Sequence, residues 1–424
     1  MPAAAGIEHI MASGNFVIVG GGLAGATAAK TLRAEGHGGP VILLAEERHH
    51  PYLRPPLSKE YLLAKAGDDA LPVVPAGWYA ENGVDLRLGA TVTGIDPAAR
   101  SVTLRDGQRL GYASLLLATG ARPRRIPLPG GDLEGVSTFR TVDDSIRLRA
   151  GLADGGRNVV MIGSGWIGME LAAAASAYGN SVTLLGLEEV PLGAALGPEL
   201  GGFFRSVHEA NGVRFRLPAS AAGIRGQSGR VTGVVTDAGE VLPADLVIIA
   251  VGVVPEVSLA EAAGIALHNG ILTDASLRTS APRIHAAGDV ANALHPFTGE
   301  HHRSEHWSNA LNGGKVAARA MLGLDAALDT VPYFYTDQFD VSMEYSGFPT
   351  LAAGPPTIRG SLEAKKFLAF WQRDGRVVAG MSVNWPRSAK PQKVIKQLIS
   401  AKTAVGPAAL ADPDVPLDGL LPEA

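Results

Sequence analysis

Residues 16–36 read FVIVGGGLAGATAAKTLRAEG, and residues 159–179 read VVMIGSGWIGMELAAAASAYG. Set one above the other, Gly20, Gly22 and Gly25 fall on Gly163, Gly165 and Gly168. Each stretch is an apolar run, a G-x-G-x-x-G turn and an Ala-rich run with helical character. Each is followed by a second apolar run, VILLAEE (41–47) and VTLLGLEE (182–189). The pattern predicts two strand–turn–helix–strand units. In such a turn the first glycine permits the tight reversal and the second lets backbone N–H groups approach a diphosphate. The third lets the helix lie close to the strand. The helix N-terminus then presents its positive dipole end to the anion. One such turn is weak evidence; two in the same context predict two dinucleotide sites in one chain.

Composition narrows the classes. The 424 residues are 46% apolar, enough for two or three domains. A net charge of −4 argues against a general nucleic-acid binder. Glycine is abundant at 53 residues, without any collagen-like repeat, which fits ligand loops. There is no cysteine. Disulfides, thiolate metal sites, iron–sulfur ligation and cysteine catalysis within the chain are therefore excluded. No Lys or Arg precedes Lys30, and the apolar run Leu246–Val254 is too short to span a bilayer. The expectation is a soluble, cytoplasmic protein with no membrane and no nucleic-acid partner. Residues 1–14 read as a loose leader.

Further stretches carry candidate chemistry. Glu46 and Glu47 follow Gly20 by 26 and 27 residues, where a carboxylate can accept from ribose hydroxyls; solvated charge at a strand end is the plainer reading. LLLATGARPR (115–124) and LVIIAVGVVPE (246–256) are buried runs ending in a glycine, and RIHAAGDVAN (283–292) sets Asp289 just after a short run. Asp289 suits a polyol chain, although a turn carboxylate is common there. From about residue 329 the aromatic content rises. KKFLAFWQRDGRVVAGMSVNW (365–385) reads as a hairpin about RDGR (373–376), with a helix from Pro391 onward. In PYLRPPLSKEYL (51–62), Arg54 precedes a proline and is expected to be extended. Pro55 and Pro56 suit a helix start, with Lys59 in its first turn.

Taken together, the two glycine turns, ATG, VGVVP, AAGD, PYLRPPLSKEYL, SEHWSNAL (304–311) and YFYTDQFD (333–340) resemble the two-nucleotide flavoprotein reductases. Within them the chain is similar to the ferredoxin and rubredoxin reductases that serve oxygenases, a group that includes apoptosis-inducing factor. The resemblance covers residues 15 to 415. It implies an α/β fold of two Rossmann-like dinucleotide-binding domains, one inserted in the other, plus a C-terminal α+β domain. The implied boundaries are FAD-binding residues 1–122 and 253–328, NAD(P)H-binding residues 123–252 and a C-terminal reductase domain at 329–424.

The resemblance also implies the site. FAD contacts carry over to Gly20, Gly22, Gly25, Glu46, Glu47 and Arg54. They continue with Lys59, Val92, Thr119, Gly120 and Arg140, and then with Gly288, Asp289, Glu305 and His306. Tyr335 stands where the family usually has Trp at the flavin edge. NAD(P)H contacts carry over to Gly163, Gly165, Ile167, Gly168, Glu170 and Gly252. The family often has Glu at the end of the second unit's outer strand; here that position is Gly186, with Glu188 and Glu189 close by. No Arg or Lys lies between Ser181 and Phe204 to clamp a 2′-phosphate, so NADH is expected over NADPH.

The implied reaction passes hydride from nicotinamide C4 to flavin N5. Glu170 aligns with Thr27 in the repeat, where the fold needs no acid. The family pairs such an acid with the Lys of RPPLSK, here Lys59, beside flavin N5. A surface Lys and a helical Glu that never meet is the alternative. With no cysteine pair to receive them, the electrons go to an outside acceptor. The expected partner is a two-iron two-sulfur ferredoxin feeding an oxygenase, for instance a haem monooxygenase. A quinone or dye acceptor, and a slow signalling flavoprotein like apoptosis-inducing factor, are the alternatives. Two basic clusters could steer an acidic partner. One is Arg122, Arg124 and Arg125; the other is Arg387, Lys390, Lys393, Lys396 and Lys402. A solvated face is the competing reading for each.

Overall fold

The computed structural model describes residues 14–352, 354–386 and 390–421. The leader expected at 1–14, apart from its last residue, and Arg387 lie outside the described residues. The chain divides into two compact units. One comprises residues 1–53, 68–122 and 254–332, and the other residues 54–67, 123–253 and 333–424.

In the first unit the repeat's opening run is strand Phe16–Val19, buried along its whole length. It pairs in parallel with Val41–Ala45 on one side and Ser114–Leu117 on the other. Val84–Leu88 and Ile284–Ala286 complete a five-stranded parallel sheet as its two edges. Runs buried on both faces read as continuous Val/Ile/Leu, which is why the sequence shows no alternation there. Helix Leu23–Ala34 lies against the sheet through Ala24, Ala28, Ala29 and Leu32.

The second unit repeats the plan. Strand Asn158–Ile162 lies between Ser181–Leu185 and Leu246–Ile249, and Arg214–Arg216 and Val136–Thr138 form the edges, all parallel. One difference separates the two sheets. The edge strand beside the ATG-type strand comes from late in the chain in the first unit and from early in the chain in the second.

Each unit also carries a three-stranded antiparallel meander at the same point of the repeat. These are Val92–Asp96, Ser101–Leu104 and Arg109–Gly111 in one, and Ala221–Gln227, Arg230–Thr236 and Val241–Pro243 in the other.

The aromatic C-terminal part forms a five-stranded antiparallel sheet. Its order is Tyr333–Gln338, Val341–Gly347, Arg376–Val383, Lys366–Arg373, Thr357–Ser361. The hairpin turns at Asp374 and Gly375, both with positive φ, as a two-residue connection requires. Helix Pro391–Ala401 packs on this sheet. A Cβ on Gly380 would lie 2.7 Å from Ile395, so glycine sets how closely helix and sheet approach. The architecture is thus two Rossmann-like α/β domains and a C-terminal α+β domain.

Candidate active site

Both glycine turns have the geometry that their chemistry needs. Gly20 and Gly163 adopt φ +121° and +117°, and a Cβ would sit 2.1 Å from the Ala118 carbonyl or 2.3 Å from that of Ala250. Only glycine fits there. A Cβ on Gly25 or Gly168 would lie 2.1 Å from the carbonyl oxygen of Gly20 or Gly163, so the third glycine lets helix and turn touch. The middle glycines differ, because a Cβ on Gly22 or Gly165 would meet nothing within 4 Å. No packing among the described residues requires glycine at these two positions, which leaves open space beside the backbone where a ligand could approach closely. Helices Leu23–Ala34 and Trp166–Ala177 begin there with no side-chain cap. Their first N–H groups are suited to an anion, and the residues present fit a dinucleotide in each unit.

Around the first cradle, Glu47 accepts from the Tyr52 hydroxyl at 2.6 Å, while Glu46 is largely exposed, 3.7 Å from Arg105. Asp289 is buried in a short 3₁₀ turn opened by Gly288, φ +78°. His306 is the N-cap residue of helix Trp307–Met321. Burial lowers its pKa to about 4 against the opposing charge of Asp289, so its imidazole is neutral. Glu305 pairs with Arg303 at 2.7 Å. Val92 is buried at the start of its strand. Thr119 donates to the Glu256 carbonyl at 2.7 Å, and the Gly120 carbonyl accepts from Glu256 N–H at 3.0 Å.

Around the second cradle, Ile167 is exposed and the Gly252 carbonyl accepts from Arg124 N–H at 2.9 Å. Gly186 is packed tightly, and a Cβ there would lie 2.3 Å from Ser164 Oγ and 2.9 Å from Leu217. Where the family often has Glu, this chain has a glycine packed closely against the Ser164 and Leu217 side chains. Glu188 turns back to accept from Ala194 N–H at 3.0 Å.

The strap at 54–67 departs from its sequence reading. Arg54 lies in the right-handed helical region, φ −83° and ψ −31°, and is not extended. Pro55–Ser58 is a single 3₁₀ turn, and Lys59 is the residue that ends it. The bias against helical φ/ψ before proline is overcome because the Arg54 carbonyl closes the turn with Leu57 N–H, at 3.0 Å. The Arg54 guanidinium donates to the Arg140 carbonyl at 2.7 Å.

Lys59 and Glu170 do meet. Lys59 Nζ is 2.8 Å from Glu170 Oε1, and the two side chains are 8% and 4% exposed. A charge this deep needs its partner and further hydrogen bonds. Glu170 obtains them from the Ser58 hydroxyl at Oε2 and from the Thr336 hydroxyl at Oε1, the latter at 2.6 Å. Lys59 also donates to the Pro55 carbonyl at 3.3 Å and lies 5.4 Å from the centroid of the Tyr335 ring. Burial, with Glu60, Asp337 and Glu170, raises the Tyr335 pKa to about 12, so the phenol keeps its proton.

Sequence reasoning missed Ser58, Thr336 and Gln338. Ser58 and Thr336 sit inside quoted motifs, but each meets Glu170 across more than a hundred residues of chain, which no local spacing reveals. Among the basic residues, Arg124, Arg125, Lys390 and Lys393 are exposed. Arg122 pairs with Glu256 at 3.1 Å. Lys396 is half-buried, 4.3 Å over the Tyr333 ring, and burial lowers its pKa. Among the described residues no helix is long and apolar enough to cross a membrane, and no cluster could hold a metal ion.

Comparison with known proteins agrees with this geometry. The family described as pyridine nucleotide-disulphide oxidoreductase matches residues 14–314, and that described as reductase C-terminal matches residues 333–421. The ferredoxin–NAD(+) reductase component of the anthranilate 1,2-dioxygenase system of Burkholderia cepacia is 39% identical over 416 residues, 97% of this chain and 100% of that one. The structure of the covalent putidaredoxin reductase–putidaredoxin complex superposes with a TM-score of 0.92 at 34% identity, covering 96% of this chain and 98% of the other. The ferredoxin reductase for the CYP199A2 system of Rhodopseudomonas palustris gives 0.90 at 35%, covering 95% and 98%. The chain belongs to the pyridine nucleotide-disulphide oxidoreductase family, as a reductase of the ferredoxin and rubredoxin type that uses FAD and NAD(P)H.

Proposed function

We propose that the chain draws hydride from NADH through FAD and delivers single electrons to a two-iron two-sulfur ferredoxin that feeds an oxygenase. The observation that carries this reading is the coexistence of two glycine cradles with a chain holding no cysteine. A relative of disulphide reductases without a thiol pair of its own has to discharge outside itself. The reductases of oxygenase systems among its relatives support a ferredoxin as the acceptor.

FAD, when bound, accepts hydride and releases electrons one at a time. The chain supplies binding, orientation and charge. FAD is assigned to residues 1–122 and 253–328, with the Gly20–Gly25 turn on its diphosphate and Glu47 and Asp289 on its hydroxyls. NAD(P)H is assigned to residues 123–252, with the Gly163–Gly168 turn on its diphosphate. The C-terminal domain is assigned to residues 329–424. Lys59 holds a positive charge at the flavin, kept in place by Glu170 and shielded from water by its burial.

NADH is the preferred donor. Gly186 presents no side chain, Glu188 and Glu189 are acidic, and Arg216 is held by Glu240 at 2.9 Å. A 2′-phosphate would find repulsion and no clamp there. The expected kcat/KM is at least about tenfold higher with NADH than with NADPH, the equivalent of one missing ionic contact. Steady-state kinetics with both donors measures it, and an NADPH preference would remove the assignment.

The acceptor is tested by stopped flow. NADH-reduced protein should be reoxidised rapidly by a two-iron ferredoxin and slowly by soluble quinone. Fast quinone turnover with no response to ferredoxins would favour a quinone reductase instead. Arg124, Arg125, Lys390 and Lys393 are the proposed steering charges for an acidic ferredoxin. Raising the salt from low to near-molar should therefore slow ferredoxin-dependent turnover, while dye-dependent turnover is unaffected.

A further inference from the structure

We infer that Thr336 and Ser58 are positioning residues that set how tightly Glu170 holds Lys59, and that Gln338 fixes the direction of the Thr336 hydrogen bond. The inference rests on the proposal that Lys59 acts at the flavin.

The strand Tyr333–Gln338 buries Thr336 and Gln338 while Asp337 between them is exposed. Residues two apart share a face of a strand. On this face, Phe334 meets the Trp166 ring at 5.0 Å and Thr336 reaches Glu170, so one strand face docks on one helix, Trp166–Ala177.

Gln338 Nε2 donates to Thr336 Oγ1 at 3.1 Å. A hydroxyl oxygen that accepts there turns its own proton toward Glu170 Oε1, 2.6 Å away. The order is amide to hydroxyl to carboxylate. Gln338 is fully buried, and among the described residues its Oε1 has no hydrogen-bond partner, so the side chain's polar contact is the one its N–H makes with Thr336.

Glu170 Oε1 is thus shared between Thr336 and Lys59, and Oε2 is taken by Ser58. Each hydroxyl that satisfies the carboxylate weakens its claim on the ammonium. Without them Lys59 would be the only donor to Glu170 among these residues, and its charge would be spent on the carboxylate. Thr336 and Ser58 therefore keep the Lys59 charge available to the flavin. Neither touches the reacting atoms by this account; both act through Glu170.

The test uses flavin-loaded protein. Thr336→Val keeps the side-chain shape and suits a strand, so the fold is retained. Its flavin midpoint potential should shift to more negative values. Flavin reduction by NADH should slow about tenfold, the scale of one hydrogen bond to a charged group, at unchanged KM. Ser58→Ala should move both in the same direction, and Thr336→Ser should restore them. A contact with only a structural role would lower the melting temperature and leave the potential in place.

Lys59→Met, measured alongside, separates the two levels. If Lys59→Met shifts potential and rate while Thr336→Val and Ser58→Ala match the wild type, the positioning role is overturned and the Lys59 reading stands. If Lys59→Met shifts neither, the reading beneath falls and takes this inference with it.

Discussion

Gly25→Ala is expected to yield protein that purifies with little or no flavin, whereas Gly168→Ala is expected to yield yellow protein that NADH reduces poorly. The two substitutions are the same change at matching points of the repeat. In each, the new methyl would lie 2.1 Å from a backbone carbonyl oxygen, that of Gly20 or of Gly163. Backbone cannot rotate away as a long side chain can, so the helix must back off from the turn. That displacement withdraws the helix N-terminus from the diphosphate. Overpacking of this kind costs about 1–3 kcal/mol, and on the nucleotide that would be on the order of a tenfold to hundredfold loss of affinity. The flavin-to-protein absorbance ratio of the purified variants, followed by NADH titration of Gly168→Ala, measures it. Flavin lost from Gly168→Ala and kept by Gly25→Ala would reverse the assignment of the two nucleotides.

Lys59→Met should slow flavin reduction by about a hundredfold to a thousandfold, the scale for removing one preorganised charge or donor from an active site. It should also destabilise the protein, because Glu170 would remain buried without its cation. Breaking a buried pair from one side costs about 3–5 kcal/mol. Ser58 and Thr336 still donate to Glu170, so the loss should fall at or below the lower end of that range. The double variant Lys59→Met/Glu170→Leu separates the two effects. Replacing both partners by apolar groups should recover much of the melting temperature and none of the rate. Recovery of the rate in the double variant would mean that Lys59 only relieves Glu170 and contributes nothing to hydride transfer.

Much of the fold is legible because local physics decides it. Two strand–turn–helix units follow from glycine spacing, the C-terminal hairpin from Asp374-Gly375 between apolar runs, and the last helix from Pro391. The pair of antiparallel meanders was not legible. Val92–Asp96 and Ala221–Gln227 begin short, half-exposed strands whose pairing is set by neighbours, not by a pattern of their own. Arg54 shows local bias losing to a hydrogen bond. The preference of a residue before proline for extended backbone is real, but one 3₁₀ turn reverses it. Glu170 stands out in the repeat, where Thr27 occupies the matching place and an acid serves no packing need. The two hydroxyls that complete its shell were beyond sequence reasoning, since their contacts depend on the strap and the Tyr333–Gln338 strand converging on one helix.

The placement of the edge strands bears on how the protein emerges from the ribosome. The sheet of the second unit draws all five strands from residues between Val136 and Ile249. The sheet of the first unit lacks an edge until Ile284–Ala286 has been made. The first unit starts earlier in the chain and completes its sheet later. During synthesis, strand Ser114–Leu117 therefore waits with one side unpaired while the inserted sheet acquires its full set of strands, and that open edge is exposed to wrong partners until Ile284–Ala286 arrives.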